Sequence, residues 1–121
     1  MRTCAVIAAL FGALAVMLGA FGAHALRTQL DAAALQTWHT AVEYQFWHAL
    51  ALLVFATQWR SLPHARWIAW LFGVGVALFC GSLYALALGA PHQLGAVTPF
   101  GGAAFIAGWS MLAWSLLRTK A

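Results

Sequence analysis

The chain has 121 residues and a formal net charge of +4, with 64% hydrophobic and 7% charged residues. Soluble domains carry about 25% charged residues, so this composition excludes a water-soluble globular protein. The length allows a single domain, 1–121. The six basic residues are scattered without forming a run, which does not favour nucleic-acid binding.

The first apolar segment extends from about residue 3 to residue 25 and carries no charge before His24. A segment of this length can cross roughly 30 Å of hydrocarbon. Arg2 and the sequence Ala23-His24-Ala25 also resemble a cleavable signal peptide. Because the segment exceeds the usual ~7–15 apolar residues and further spans follow, we predict a retained transmembrane helix.

The next segment, 26–38, mixes polar and apolar residues. Leu26, Leu30, Ala34 and Trp38 share one helical stripe, and the charged and amide side chains lie elsewhere. We expect a short amphipathic helix that lies on the membrane surface.

Three more apolar segments follow, at about 40–58, 67–89 and 94–117, with polar turns between them. In the third segment of the chain a small residue recurs every fourth position, which is a helix-packing pattern in membranes: Gly73, Ala77, Gly81, Ala85 and Gly89. The sequence therefore predicts an all-α integral membrane protein. Its expected fold is an antiparallel bundle of four transmembrane helices, with the interfacial helix between the first two.

The basic residues predict the orientation of this bundle. Four spans bring five of them to one end: Arg2, Arg60, Arg66, Arg118 and Lys120. Only Arg27 lies at the other end. By the positive-inside rule both termini lie in the cytoplasm, so we expect a multi-pass protein of the cytoplasmic (inner) membrane.

Polar residues interrupt all four spans at a similar depth, in the half of the membrane away from the cytoplasm. Glu43 is the most unusual, because an ionisable group inside a bilayer is costly and commonly functional. We predict that these side chains line a pocket open toward the outer leaflet and bind a ligand there. The predicted binding residues are His24, Glu43, Tyr44, Gln45, His48, Ser82, Tyr84 and Thr98.

Four short motifs carry these residues in order. They are GAFGAH at 19–24, EYQ with His48 at 43–48, GSLY at 81–84, and TP.GG…F..GW at 98–109. Together they resemble the domain of unknown function 423 family, whose members are small four-span membrane proteins. The resemblance covers nearly the whole chain and implies a four-helix inner-membrane protein. It implies no activity, ligand or catalytic residue.

Enzymatic chemistry has little support in the sequence. Ser82 lacks a His and Asp partnership, and there is no phosphate-binding loop. A metal site would need His24, Glu43 and His48 together, but the chain has no HxxxH or CxxC spacing. We expect no catalytic residue, no metal and no cofactor; a membrane enzyme stays an alternative only if the protein holds a metal.

The pattern favours a non-enzymatic role. The protein would bind a small or lipid-like ligand, or dock on a larger membrane complex with the segment 26–38 as a lid or docking surface. The alternative is a proton-coupled small-molecule carrier that acts as a homo-oligomer through Glu43. Glu43 could instead be a structural carboxylate, protonated or paired with His24, His39 or Arg27. The expected partners are the lipid bilayer and a membrane-protein complex or further copies of the chain, and no nucleic acid.

Overall fold

The computed structural model describes residues 1–120, which contain four long helices and no strand. Helix α1 spans Arg2–His24, α2 spans Ala32–Gln58, α3 spans Ala65–Ala87 and α4 spans Thr98–Arg118. One π-helical turn, Val76–Cys80, lies within α3, and a short 3-10 helix, His92–Ala96, precedes α4. The predicted all-helical architecture is confirmed.

Three helical segments are long and apolar enough to cross a membrane by their length and composition: Arg2–His24, Ala65–Ala87 and His92–Arg118. Helix α2 is also long, since its 27 residues extend about 40 Å. Its apolar character is lower because Glu43, Gln45 and His48 lie in its central part.

The structure has no separate helix over residues 26–38, so this part of the prediction is wrong. Residues 25–31 form turns, and α2 runs from Ala32 to Gln58 without a break. Asp31 caps the start of α2, because its carboxylate accepts a hydrogen bond of 2.8 Å from the Ala34 N–H. The helix that we expected to begin near residue 40 therefore begins two turns earlier and includes Trp38.

Successive helices run antiparallel, as contacts along each pair show. Phe11 and Leu18 of α1 are bonded to Gln45 and Trp38 of α2, in reverse order. Helix α3 runs against α2 in the same manner, and Ser115 near the end of α4 bonds to the Pro63 carbonyl just before α3. Helices α2 and α3 form the centre, with α1 packed on α2 and α4 packed on α3.

Glycines allow several close contacts between these helices. A Cβ at Gly22 of α1 would overlap the indole of Trp38, and a Cβ at Gly101 of α4 would overlap the Phe79 backbone. The ridge of small residues on α3 is not used in this way. Among the described residues no atom lies within 4 Å of a Cβ built at Gly73 or Gly81, so the ridge faces away from the bundle.

Candidate functional site

Gln45 joins three helices in the interior of the bundle. Its side-chain Nε2 donates to the Phe11 carbonyl of α1 at 2.9 Å, and its Oε1 accepts from the Tyr84 hydroxyl of α3 at 2.8 Å. The residue is only 3% exposed. In lipid, apolar surface gives no driving force for the association of helices. A buried amide that bonds to the helices on both sides therefore stabilises the bundle.

Trp38 packs beside this link, at the end of the bundle that holds the α1–α2 turn. Its indole Nε1 donates to the Leu18 carbonyl at 2.9 Å. The ring meets Tyr84 edge-on with centroids 4.7 Å apart. Trp38 therefore fixes α2 against both α1 and α3.

His48 connects α2 to α4 as a neutral imidazole. Its Nε2 accepts a hydrogen bond from the Trp109 indole at 3.1 Å, and its Nδ1 lies 2.7 Å from the Tyr44 carbonyl. Because an indole N–H can only donate, Nε2 must be the acceptor, and Nδ1 carries the proton given to the carbonyl. The ring stacks on Phe105 with centroids 3.6 Å apart. Both nitrogens are thus occupied, and neither is free to bind a metal or to exchange a proton in this arrangement.

Ser82 and Thr98 join α3 to the first residue of α4. Their hydroxyl oxygens are 2.6 Å apart, and Ser82 Oγ also lies 3.0 Å from the Phe79 carbonyl. Since Ser82 has a single hydroxyl proton and gives it to that carbonyl, Thr98 donates to Ser82. Phe79 lies in the π-helical turn, and its ring packs on Tyr44 with centroids 4.6 Å apart.

Glu43 and His24 lie on the surface instead. Glu43 borders a groove of about 280 Å³ between α1 and α2, whose other lining residues are Ala15, Val16, Gly19, Ala20, Val42, Phe46 and Trp47. His24 is the exposed last residue of α1. Within residues 1–120, Glu43 forms no hydrogen bond or ion pair, so the proposed pairing with His24, His39 or Arg27 is not present.

The structure therefore does not bring the eight predicted residues into one pocket. Every buried side-chain nitrogen and oxygen in the described part of the chain has a hydrogen-bond partner. The interior residues link helices to one another: Tyr44, Gln45, His48, Ser82, Tyr84 and Thr98. Residues 1–120 also bring no three His, Cys, Asp or Glu side chains together as a metal site. A ligand role for the eight residues stays a prediction.

Three aromatic residues that complete these links were missing from the predicted site. Trp109 and Phe105 enclose His48, and Trp38 encloses Tyr84. The sequence contains an indication of two of these residues, because Phe105 and Trp109 belong to the fourth motif. Their pairing with His48 joins residues about sixty positions apart, so sequence spacing alone could not reveal it.

Comparison with known proteins identifies the family. The family model described as "Protein of unknown function (DUF423)" matches residues 18–102, a range that contains all eight predicted residues. The chain belongs to the DUF423 family. The resemblance inferred from the four motifs is thus confirmed.

Two relatives show how far this family likeness extends. The chain is 42% identical over 115 residues to the UPF0382 membrane protein YwdK of Bacillus subtilis, covering 93% of this chain and 94% of YwdK. It is 39% identical over 121 residues to the UPF0382 inner membrane protein YgdD of Escherichia coli, covering 98% of this chain and 92% of YgdD. No solved structure matches the chain. This DUF423 protein is therefore a small helical membrane protein of unknown molecular function.

Proposed function

We propose that this DUF423 protein is a non-enzymatic, four-span protein of the inner membrane that docks on another membrane protein through Glu43. In this arrangement α2 also crosses the membrane, because it packs antiparallel between α1 and α3. Both termini lie in the cytoplasm, since the end of the bundle that holds them carries five basic residues and the other end only Arg27.

The observation that carries the proposal is the exposed position of Glu43. It lies two residues from the middle of α2, about 3 Å along the helix axis. A charged group near the centre of a bilayer costs about 2.5–3.5 kcal/mol on insertion scales. Since no group within residues 1–120 compensates that cost, a partner from outside the chain is the simplest source of compensation.

The surroundings of Glu43 suit a transmembrane helix as this partner. On α1 the exposed residues of the groove are Val16 and Ala20, which offer apolar contact to a neighbouring helix. The short side chain of Ala20 lets a neighbouring backbone approach closely. Trp47, which is 52% exposed, supplies apolar contact area at the other edge. The carboxylate of Glu43 specifies the charge of the partner, because the partner helix must bring a Lys or Arg side chain to the depth of Glu43.

The interior supports a scaffold role for the remaining polar residues. His48 has both ring nitrogens occupied, and Gln45 is bonded to α1 and α3. These bonds fix α2 to its neighbouring helices, so the interior polar side chains hold the α1–α2 surface in shape. A carrier mechanism would instead require Glu43 to meet a substrate path, and its groove lies outside this interior.

Site-specific photo-crosslinking in native membranes tests the proposal. A photoreactive amino acid at position 47, beside Glu43, should capture one membrane protein, with the crosslink mapped to a transmembrane helix that contains a basic residue. Glu43→Gln should remove most of this product. The control Ile106→Gln places an amide on the exposed face of α4 and should leave the product unchanged.

A crosslink of equal yield in wild type and Glu43→Gln would contradict docking. Loss of proton-coupled uptake in the same Glu43→Gln membranes would then favour the carrier alternative.

A further inference from the structure

A second groove lies between α1 and α3, away from Glu43. These two helices make few direct contacts, and the gap between them has a volume of about 460 Å³. Leu52 of α2 forms its floor. The walls are Cys4, Ile7 and Phe11 of α1 and Ala69, Trp70, Gly73, Val74 and Ala77 of α3. Apart from the Cys4 thiol, all of these side chains are hydrocarbon or aromatic.

The dimensions of this groove suit a single acyl chain. From Ala69 to Ala77 the wall of α3 extends about 12 Å, and one leaflet of the hydrocarbon core is roughly 15 Å thick. At Gly73 no described atom lies within 4 Å of a Cβ position, so the backbone of α3 is open to a ligand there. Two residues of the outward ridge on α3, Gly73 and Ala77, thereby form part of a ligand groove.

One end of the groove is positively charged. Helices α1 and α3 are both antiparallel to α2, so their first turns lie at the same end of the bundle. Arg66 lies in the first turn of α3 and precedes Ala69 by three residues and Gly73 by seven, which places it on the helical face that lines the groove. Basic residues at such a position attract anionic lipid headgroups.

We infer that the groove between α1 and α3 binds one acyl chain of an anionic phospholipid, whose phosphate contacts Arg66. The apolar walls hold the acyl chain, and Arg66 selects the headgroup. The site does not depend on the docking role of Glu43, which lies in the other groove. The docking proposal could fail while this lipid site is present, and the lipid site could be absent while docking occurs.

Native mass spectrometry of the full chain in mild detergent tests the site. The probes are palmitoyl-oleoyl phosphatidylglycerol and phosphatidylcholine, which share their acyl chains and differ in headgroup charge. Wild type should retain more phosphatidylglycerol. Arg66→Gln should reduce that preference about fivefold, as expected for the loss of one cation near the headgroup. Arg118→Gln is the matched control, because that guanidinium lies at the same end but stacks on Trp114 at 4.3 Å.

Filling the groove tests the acyl-chain contact separately. Gly73→Leu should lower the retention of both lipids, and Ala77→Leu should do the same if the first variant folds poorly. Ala107→Leu on the exposed face of α4 should have no effect. Folding of each variant is checked by circular dichroism.

Chemical modification of Cys4 measures the presence of lipid in the groove independently of mass spectrometry. Cys4 lines the groove, whereas Cys80 is only 1% exposed, so maleimide should modify Cys4 first. Nanodiscs of phosphatidylglycerol should slow this modification relative to nanodiscs of phosphatidylcholine. Equal retention of the two lipids by wild type, or unchanged retention in folded Gly73→Leu and Ala77→Leu, would overturn the inference.

Discussion

Trp109 donates its indole N–H to Nε2 of His48 at 3.1 Å and so joins α4 to α2, two helices that are not consecutive in the chain. The sequence suggested that His48 binds a ligand, but in this contact its neutral imidazole accepts a hydrogen bond that holds two helices together. Its remaining nitrogen already donates to the Tyr44 carbonyl. Within residues 1–120 these hydrogen bonds join the helices from inside and leave no buried side-chain nitrogen or oxygen without a partner.

We expect Trp109→Phe to destabilise the bundle by about 1 kcal/mol. The substitution keeps an aromatic ring in place but removes the donor, so His48 Nε2 becomes a buried acceptor without a partner. Reversible unfolding in mixed detergent micelles measures the change. Trp114→Phe is the control, because Trp114 is exposed to a similar degree but its indole N–H has no hydrogen-bond partner within residues 1–120; its effect should be within about 0.5 kcal/mol. Equal effects of the two changes would contradict the His48 link.

Gly101→Ala should destabilise the α3–α4 contact by about 1–3 kcal/mol, the usual range for overpacking. The added methyl group would overlap the backbone of Phe79, which cannot move aside as a flexible side chain could. Gly73→Ala is the matched control, since the new Cβ there meets open space and alanine favours the helix. The same unfolding assay should show no loss of stability for the control.

Glu43→Leu should leave the isolated bundle as stable as wild type or make it more stable. Glu43 has no bonded partner within residues 1–120, so its removal breaks no contact inside the chain. The unfolding midpoint in detergent, without any other protein present, is the measurement. A loss of more than about 1 kcal/mol would mean that Glu43 locks the helices together, as a structural carboxylate does.

The proposed orientation predicts the behaviour of reporter fusions. Green fluorescent protein fused after residue 120 should fluoresce, and alkaline phosphatase fused there should be inactive, because both report the cytoplasmic side. Insertion of the phosphatase in the turn at 88–91 should give activity, because this turn lies at the opposite end of the bundle. The reversed pattern would contradict the orientation.

The sequence predicted the helices well because long apolar segments between polar turns have few alternatives in a membrane. It placed the start of α2 wrongly. The mixed composition of 26–38 suggested a surface helix, whereas the Asp31 cap and the contacts of Trp38 continue residues 32–38 into α2.

The candidate site was harder to predict for a physical reason. In a membrane protein both the lipid-facing surface and the interior are apolar, so hydropathy does not tell which face of α2 points inward. Glu43 and His48 are five residues apart and therefore diverge by about 140° around the helix. The structure turns His48 inward and Glu43 outward, which separates residues that the sequence had grouped by depth.

Docking requires that Glu43 meets a basic side chain of another membrane protein, and a charge exchange between the two residues tests this contact. Glu43→Lys should abolish the photo-crosslink from position 47, through repulsion between two cations. Changing the crosslinked partner's basic residue to Glu should then restore the product in the Glu43→Lys background. A crosslinked product that survives Glu43→Lys would contradict docking at Glu43. Failure of the reciprocal change to restore the product, although both proteins insert normally, would also contradict it.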